Sequence, residues 1–292
     1  MNRLKRNIAQ IYFEILKEPL NAGRRARFLI DFFRWKLLYK HFNRRWIIQL
    51  ENGFHSFVYP FPDHDAGEVN IWTRNVDFYE LQFVRSHLQP GDVVCDVGCN
   101  IGNRTLALAD MINGGILFDA GSKAIERAKE NFTFNNLDSK FIFIHKAVGA
   151  IAGTIHFTDL GGASTQNKIV NNDSQDTHRI EIELTTLNKE VRKLNLKPSF
   201  IKIDTEGYDL EVLKGATELI KGGYLRLIQF ERLRNTDVKS FEEFFNSLGW
   251  CVFTLLKGQP TQNPDDVTKS QNLFAAPKEY FHRTIISNEN HA

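Results

Sequence analysis

The run Val93–Val97 and the loop after it constrain the fold of this chain more than any other segment. The run is almost wholly apolar, which is typical of a strand buried on both faces of a sheet. The loop has the pattern Asp96-x-Gly98-x-Asn100-x-Gly102, and a helix is predicted from Gly102 to Met111. Gly98 allows a sharp turn close to a ligand, and the first amides of the helix favour polar or anionic groups. We therefore expect a strand, a loop and a helix that together bind a nucleoside-type cofactor.

Strand-like and helix-like segments alternate through most of the remaining chain, which predicts an α/β fold. Repeated strand–helix units form a mostly parallel sheet with helices on both faces, and ligands bind beyond the carboxyl ends of its strands. Further strands are predicted at Ile116–Phe118, Phe141–His145, Phe200–Asp204 and Leu225–Glu231, and helices at Val76–Leu88, Lys123–Phe134, Asp209–Lys221 and Val238–Leu248.

Two parts of the chain depart from this alternation. Thr154–Phe157 and Ile180–Thr185 are predicted strands that flank a polar segment, Gly161 to Thr177, which we expect to be a mobile loop. Cys251–Leu256 and Asn272–Ala276 have no predicted helix between them. We expect these two strands to pair antiparallel and to close the edge of the sheet.

The first fifty residues differ from the rest of the chain in charge. They hold twelve Lys/Arg against three Asp/Glu, a net charge of +9, whereas the whole chain carries +2, so the remainder carries −7. We predict a basic helical extension with short strands at residues 1–75, and a cofactor-binding domain at 76–292. The basic, aromatic residues 1–50 either contact a membrane or another anionic surface, or pack on the domain.

Cysteine usage and hydropathy bear on location. Cys95, Cys99 and Cys251 have neither metal-site nor redox spacing, and their odd number predicts a reducing compartment. No window approaches the roughly 18 apolar residues of a membrane span, and the pattern of a secretory signal is missing. We expect a cytoplasmic protein, with peripheral contact at the inner face of the membrane as one alternative.

The charge of the glycine-rich loop indicates which nucleoside cofactor it binds. The dinucleotide fingerprint G-x-G-x-x-G is not met, and a carboxylate at Asp96 would repel a pyrophosphate. The same carboxylate would attract the cationic amino group of a methionine moiety, which favours S-adenosylmethionine (SAM) over NAD. Asp119 follows 23 residues after Asp96, close to the roughly 20-residue spacing of an acid that binds ribose hydroxyls. Its alternative role is to cap the next helix.

A second acidic group follows the predicted strand at Phe200. Asp204 and Glu206 are two positions apart, so they share a side if the chain stays extended, and Glu231 ends the next strand. Methyl transfer requires an acceptor held in line, and a hydroxyl acceptor must lose its proton. One of these carboxylates, or a divalent metal held by Asp204 and Glu206, would remove it. Each acid is alternatively a helix cap or a surface charge.

On these motifs the chain resembles the FkbM family of SAM-dependent methyltransferases, over roughly residues 75–278. The most specific block is Phe200 to Ala216, with the pattern K-I-D-x-E-G-x-x-x-x-V-L-x-G-A. The resemblance implies a Rossmann-like class I fold with seven strands and O-methylation of a sugar or polyketide hydroxyl. It also implies that Glu80 orients the loop and that Ala147 belongs to the cofactor site. Further matching segments are Pro90 to Gly102, Ala147 to Gly149, Gly161 to Ser164 and Asn272 to Pro277.

The chain departs from the family pattern after the second predicted strand. The family has Phe-Glu-Pro there, and this chain has Phe118-Asp119-Ala120. The shorter acid still reaches ribose hydroxyls, but Ala120 leaves the loop less rigid. Cys99 replaces the usual alanine, a small change that we expect to be harmless.

The sequence thus predicts a SAM-dependent O-methyltransferase that acts on a sugar hydroxyl in a glycan or surface polysaccharide. A small-molecule O-methyltransferase of the polyketide type, a nucleic-acid methyltransferase and a non-catalytic SAM-binding protein are the alternatives. The Asn/Asp-Pro-Pro-aromatic motif of base methylation is missing, whereas the basic extension argues mildly for nucleic acid. We expect Glu80, Asp96, Gly98, Asn100, Gly102, Asp119 and Ala147 at the cofactor, and Asp204, Glu206 and Glu231 at the acceptor.

Overall fold

A computed structural model of the 292-residue chain describes residues 11–16, 21–60, 66–74, 77–160, 163–164, 167, 169–170, 178–233 and 236–286. Most of the predicted mobile loop, Gly161 to Thr177, lies outside the described residues. The strands are β1 Trp46–Gln49, β2 His55–Val58, β3 Val93–Val97, β4 Gly114–Asp119, β5 Phe141–His145, β6 Ala147–Val148, β7 Gly153–Thr158, β8 Ile169–Val170, β9 Arg179–Thr185, β10 Phe200–Ile203, β11 Leu227–Glu231, β12 Trp250–Leu256, β13 Gln259–Thr261 and β14 Asn272–Pro277.

Helical segments connect these strands. Three of them have the wide π-type geometry: Ile11–Leu16, Trp35–Tyr39 and Phe281–Ile286. Short 3-10 turns lie at Ala66–Val69 and Asp138–Lys140. The α-helices are Arg25–Arg34, Asn70–Thr73, Phe78–His87, Asn103–Leu106, Ser122–Phe134, Leu187–Lys193, Asp209–Lys214, Thr217–Lys221, Lys239–Ser247, Pro264–Lys269 and Lys278–Tyr280.

The main sheet has the order β5-β4-β3-β10-β11-β14-β12-β13 within the described residues. The first five strands of this order are parallel, and β14 is antiparallel to both of its neighbours. The predicted mostly parallel α/β sheet is therefore confirmed. Beyond the seven strands expected, the short β13 forms a hairpin with β12 at the edge.

The antiparallel pair at the end of the chain differs from its prediction in two respects. Cys251 pairs with Ala276 as expected, but β14 inserts between β11 and β12, so β14 itself is not at the edge. The expectation that no helix separates the two strands was wrong, because Pro264–Lys269 is a short helix. Asn263 caps it by accepting a hydrogen bond from the amide of Asp265, and proline is favoured at the first helical position.

Both faces of the main sheet are buried, as the apolar strands predict. Alternate strand residues point to opposite faces, so Val94, Leu117 and Phe200 join one apolar cluster. Their neighbours along the strands, including Cys95 and Ile201, join a second. Helices Phe78–His87 and Ser122–Phe134 contribute to the first cluster, and Leu187–Lys193, Asp209–Lys214 and Lys239–Ser247 to the second. The expected helices on both sides of the sheet are therefore confirmed.

Two predicted helices are shorter than expected. The helix after the glycine-rich loop spans only Asn103–Leu106 and continues in turns. The predicted helix from Asp209 to Lys221 divides at Gly215. A Cβ atom on Gly215 would lie 2.0 Å from the carbonyl oxygen of Gly149, so this contact between two backbones requires glycine.

The segment between β5 and β10 forms a second, smaller sheet of order β6-β9-β7-β8. Its first strand follows β5 after one residue, so the small sheet begins at the carboxyl end of a main-sheet strand. Phe157, Ile182 and Ala147 form its apolar contact with Ala120, which follows β4. The insertion therefore covers part of the sheet edge where ligands are expected.

The N-terminal residues form a cluster of their own around Phe28, Phe32 and Trp35. A buried ion pair joins Asp31 to Arg74. The β1–β2 hairpin contacts helix Ser122–Phe134, whose Asn131 and Asn135 side chains accept hydrogen bonds from backbone amides of β2 at 2.8 Å. The predicted boundary between residues 1–75 and 76–292 stays a prediction. In the described part of the chain, every helix is too short or too polar to cross a bilayer.

Candidate functional site

A cavity lies at the carboxyl ends of β3, β4 and β10, beside the small sheet. It encloses about 1020 Å³, including its open mouth. Backbone atoms and small residues of the glycine-rich loop form one wall, and charged residues at the end of the neighbouring strand β10 form the adjoining wall. Ligands of α/β sheets bind in this position, where strand order reverses.

The glycine-rich loop contacts the end of β10 directly. Gly98 has a φ of +75°, and a Cβ atom there would lie 1.8 Å from the carbonyl oxygen of Asp204. Only glycine fits both the conformation and the contact. Asn100 also has a positive φ, and its side chain donates to the carbonyl of Ala163 at 3.0 Å. The loop therefore touches both the acidic strand end and the segment after β7.

Asp119 holds the glycine-rich loop from the end of β4. Its two oxygens accept hydrogen bonds from the amides of Asn100 and Gly121, each at 2.8 Å. Burial raises the pKa of Asp119 to about 6, although the two backbone hydrogen bonds act in the opposite direction. The side chain lines the cavity with its remaining acceptor capacity.

Asp96 lies behind the loop rather than on the cavity wall. One of its oxygens accepts a hydrogen bond from the Thr105 hydroxyl at 2.7 Å. The other oxygen is buried and has no hydrogen-bond partner among the described residues. Burial raises the pKa of Asp96, and the nearby Lys202 ammonium lowers it. An unpaired acceptor in a buried carboxylate favours a cationic donor nearby.

Lys202 is a charged residue in the middle of the buried strand β10. Its Cα pairs with that of Asp96 across the sheet, and its ammonium donates to Asp204 at 3.0 Å. Burial lowers the pKa of Lys202, but the carboxylates of Asp204 and Asp96 outweigh burial and raise it. The lysine therefore stays protonated next to the cavity.

Asp204 and Glu231 share a hydrogen bond beside Lys202. Burial raises the pKa of Asp204, but the Lys202 ammonium and the hydrogen bond with Glu231 together outweigh burial, so the net pKa is lowered. Burial and the Asp204 charge raise the pKa of Glu231 to about 8. At neutral pH, Asp204 is ionised and Glu231 is protonated, and this is the arrangement that a hydrogen bond between two carboxyl groups requires.

Asp209 does not line the cavity, but it holds the residues next to Asp204 and Glu231 in place. It accepts hydrogen bonds from the amide and hydroxyl of Thr205 and from the amide of Glu231. Burial raises its pKa to about 6. Asp209 therefore fixes the relative positions of the ends of β10 and β11.

The chain does not stay extended after Asp204. Glu206 and Gly207 have φ values of +53° and +102°, so this segment turns sharply. The alternation of an extended strand therefore cannot place Asp204 and Glu206 on the same side. Both residues nevertheless line the cavity. The turn, rather than an extended strand, places Glu206 on the wall.

The structure brings six of the ten predicted site residues to the cavity wall and places four elsewhere. Asp96, Gly102 and Glu231 lie next to lining residues, whereas Glu80 is half-buried on helix Phe78–His87. Burial raises the pKa of Glu80. The six lining residues are Gly98, Asn100, Asp119, Ala147, Asp204 and Glu206.

Sequence reasoning missed several residues of the wall. The sequence pattern could have identified Lys202, because a lysine between Ile201 and Ile203 in a buried strand must have a charged partner. Lys146 and Arg104 gave no such signal; they pair with Glu183 and Asp77 from distant parts of the chain. Other missed lining residues include Asp77, Ile101, Phe118, Phe157, Asn167 and Thr205.

No group of three or more His, Cys, Asp or Glu side chains in the described ranges has an arrangement suited to a metal ion. The ammonium of Lys202 lies next to Asp204, one of the two residues predicted as metal ligands. A positive charge is thus already present beside the acceptor carboxylate.

Solved structures with similar folds include two that are described as a methyltransferase and an rRNA methylase, and a third of TrmK. Methyltransferase FkbM from Methylobacillus flagellatus KT is 16% identical, with a TM-score of 0.47; the match covers 70% of this chain and 52% of that one. An rRNA methylase from Streptococcus thermophilus is 10% identical, with a TM-score of 0.41, over 67% and 91% of the two chains. TrmK of M. capricolum, in complex with S-adenosyl-homocysteine, is 12% identical, with a TM-score of 0.37, over 68% and 66%.

No curated protein matches this chain. Residues 96–249, just over half of the chain, match the family model of the methyltransferase FkbM domain. This span runs from the glycine-rich loop through the acidic strand ends to the start of β12. The chain belongs to the FkbM methyltransferase family.

Proposed function

We propose that this protein is a SAM-dependent O-methyltransferase that methylates a hydroxyl of a sugar in a glycan or surface polysaccharide. The observation that carries the proposal is the Lys202–Asp204–Glu231 group, which lies in contact with the glycine-rich loop. One wall of the cavity thus suits a nucleoside, and the adjoining wall suits a hydroxyl that must lose a proton.

The residues of the loop wall fit SAM in charge and polarity. Asp96 lies behind this wall, and its buried carboxylate adds negative charge that favours the ammonium of the methionine moiety. Asp119 suits the ribose hydroxyls, because it is held rigidly and keeps acceptor capacity. Ile101, Phe118 and Ala147 supply apolar surface for an adenine ring.

SAM, when bound, supplies an electrophilic methyl group on a sulfonium. The protein must therefore orient the acceptor oxygen and accept its proton. Asp204 is an ionised carboxylate on the cavity wall beside Lys202, so it is the group that would accept a hydrogen bond from the hydroxyl and then its proton.

Lys202 and Glu231 act through Asp204. The Lys202 ammonium stabilises negative charge on the acceptor oxygen as the proton leaves. Protonated Glu231 donates to Asp204 and fixes the carboxylate in one orientation. Neither role needs a metal, although a divalent metal at Asp204 and Glu206 would have the same electrostatic effect.

A sugar acceptor is supported by the polar side chains near the acidic wall. Glu206, Thr205 and Asn167 line the cavity with acceptors and donors suited to several hydroxyl groups. A polyketide would instead need a broader apolar wall. The three buried free cysteines support the reducing, cytoplasmic location that is part of this proposal.

Calorimetry with SAM and methylation of a glycan panel test the proposal together. We expect the purified chain to bind SAM and to add one methyl group to a glycan, as measured by mass spectrometry. Asp204→Asn should keep SAM binding and lose transfer. Lack of SAM binding by the wild type would refute the cofactor. Transfer to nitrogen, or only to nucleic acid, would refute the acceptor class.

A further inference from the structure

The helical segment from residue 25 to 42 has two apolar faces, and only one of them is buried. Phe28, Phe32 and Trp35 are at most 2% exposed and form the core of the N-terminal cluster. The opposite face carries large apolar side chains that are 51–65% exposed, namely Ile30, Phe33, Leu37, Leu38 and Phe42. Single exposed apolar residues are common, but five within one short helical segment form a patch that indicates an interaction.

The buried face is held firmly, so the exposed face keeps its outward orientation. The Trp35 indole donates to Glu68 at 2.8 Å, and the ammonium groups of Lys36 and Lys40 lie 3.4 Å from the same carboxylate. Asp31 forms a buried ion pair with Arg74. The segment therefore cannot rotate to bury the exposed patch without losing these contacts.

Cations surround the exposed apolar patch. Residues 21–50 contain eight Lys/Arg, and Asp31 is their only acid. Asp31 is buried against Arg74, and Arg27 and Arg34 lie 4.0 and 3.9 Å from it, so one carboxylate faces three cations. Arg25, Arg27, Arg34 and Arg44 are exposed. A helical surface with exposed Phe and Leu side chains and flanking arginines is complementary to an anionic lipid interface.

We propose that residues 25–44 dock on an anionic membrane surface, with Phe33 and Leu37 entering the acyl boundary and the arginines contacting lipid headgroups. The aliphatic side chains Ile30, Leu37 and Leu38 favour lipid over nucleic acid, because a nucleic-acid surface uses aromatic stacking and cations rather than aliphatic insertion. The partner is therefore a lipid surface of net negative charge.

The docked segment is coupled to the cavity through the hairpin. Ser56 of β2 donates to the side chain of Asn103 at 2.9 Å, and Asn103 lines the cavity. A membrane-bound enzyme would hold this wall at a constant distance from the lipid. A lipid-linked glycan would then be a suitable acceptor, and this last point rests on the function proposed above.

Co-sedimentation with vesicles tests the docking. The full chain is mixed with vesicles of phosphatidylglycerol and phosphatidylcholine, or of phosphatidylcholine alone. We expect binding to the anionic vesicles that weakens as salt increases, with little binding to the neutral ones. Excess soluble glycerol phosphate should not compete, which distinguishes a lipid surface from a free phosphate. Vesicle binding requires neither SAM nor an acceptor, so its outcome is independent of the methyltransferase assays.

Paired variants separate the apolar and the charged contributions. Phe33→Ser with Leu37→Ser should lower partitioning by about tenfold or more. Arg25→Gln with Arg27→Gln should lower it by roughly fivefold per arginine, on anionic vesicles only. The control is Ile151→Ser with Leu256→Ser, which removes two exposed apolar side chains elsewhere and should leave binding unchanged. Equal SAM affinity and equal melting temperatures show that the variants fold.

Three outcomes would overturn the proposal. The first is absence of binding to anionic vesicles by the folded wild type. The second is equal loss of binding in the control pair. The third is tight binding of single-stranded or duplex RNA, or a dimer in light scattering, that the Phe33 and Leu37 substitutions abolish while vesicle binding persists.

Discussion

The two walls of the cavity are built in different ways. The loop wall, Gly98–Ile101 with Asp119, is held by backbone conformation and by hydrogen bonds from main-chain amides. The charged wall, Lys202 and Asp204 with Glu231 next to them, is held by side chains that neutralise one another. A wall fixed by the backbone is rigid and shape-selective, whereas the coupled side chains of the other wall can accept or release a proton. This contrast suits binding on one side and proton transfer on the other.

Removing the charge of Asp204 should produce the largest effect and should fall on turnover. Asp204→Asn keeps the size of the side chain but cannot accept the hydroxyl proton. We expect kcat to fall by about 10²–10⁴, with SAM affinity nearly unchanged in calorimetry. Glu211→Gln, a half-buried carboxylate on the following helix, is the matched control and should keep full activity. A parallel loss of SAM affinity would show that the two walls are not separate.

Gly98→Ala should damage the loop wall almost as strongly. The new Cβ would overlap the carbonyl of Asp204 in addition to the strained φ. We expect a loss of about 3 kcal/mol in the free energy of unfolding measured with urea. Gly91→Ala is the matched control, because Gly91 also has a positive φ but nothing within 4 Å of its Cβ position. It should cost only about 1 kcal/mol, and equal losses would show that the contact with Asp204 is unimportant.

Asp119→Ala should weaken cofactor binding and leave turnover nearly unchanged, which is the reverse of the effect expected for Asp204→Asn. The loop loses the acceptor for two amides, and SAM loses a charged partner for its ribose. We expect SAM affinity to fall roughly ten- to hundredfold, while kcat at saturating SAM changes little. Asp138→Ala removes an exposed aspartate after helix Ser122–Phe134 and should have no effect. An unchanged dissociation constant for Asp119→Ala would remove this residue from the cofactor site.

A pH dependence of stability is also expected. The pKa of Glu231 is raised to about 8 in the folded protein, compared with roughly 4.3 for an unfolded glutamate. The folded state therefore binds more protons between these values, and this contribution to stability is lost as pH rises through about 8. The wild type should lose stability relative to Glu231→Gln between pH 5 and about 9 in urea titrations.

Glu243→Gln, on an exposed helix position, controls for the general effect of removing a carboxylate. Its pH profile should follow that of the wild type. If the stability of the wild type and of Glu231→Gln changed with pH in the same way, the proton of Glu231 would not be shared with Asp204.

The sequence predicted the loop wall better than the charged wall. Gly98, Asn100 and Asp119 follow strands whose apolar runs are plain, and local chain geometry is enough to bring them together. Lys202 and Asp96 meet only through strand pairing, which hydrophobic periodicity does not encode. The position of Glu206 depends on a turn with positive φ at a non-glycine residue, which sequence alone rarely indicates.

The same distinction holds for the fold. The five parallel strands of the main sheet were predicted within a few residues, because their apolar runs are typical of buried strands, whereas the short strands β6 and β8 were not predicted. The insertion of β14 between β11 and β12 was not predicted, since either of the two strands could pair with β11 and leave the alternation of apolar residues unchanged. The described residues of the N-terminal segment form helices and short strands, while its contact with a membrane stays a proposal.

The position of β14 has a consequence for folding during synthesis. Until residues 272–277 leave the ribosome, the edge of β11 has no partner strand, although β12 has already been made. An apolar central strand with an open edge is a template for wrong pairing between chains. Nascent chains of this protein should therefore depend on a chaperone that shields β11, and truncations before Asn272 should aggregate rather than form a smaller native sheet.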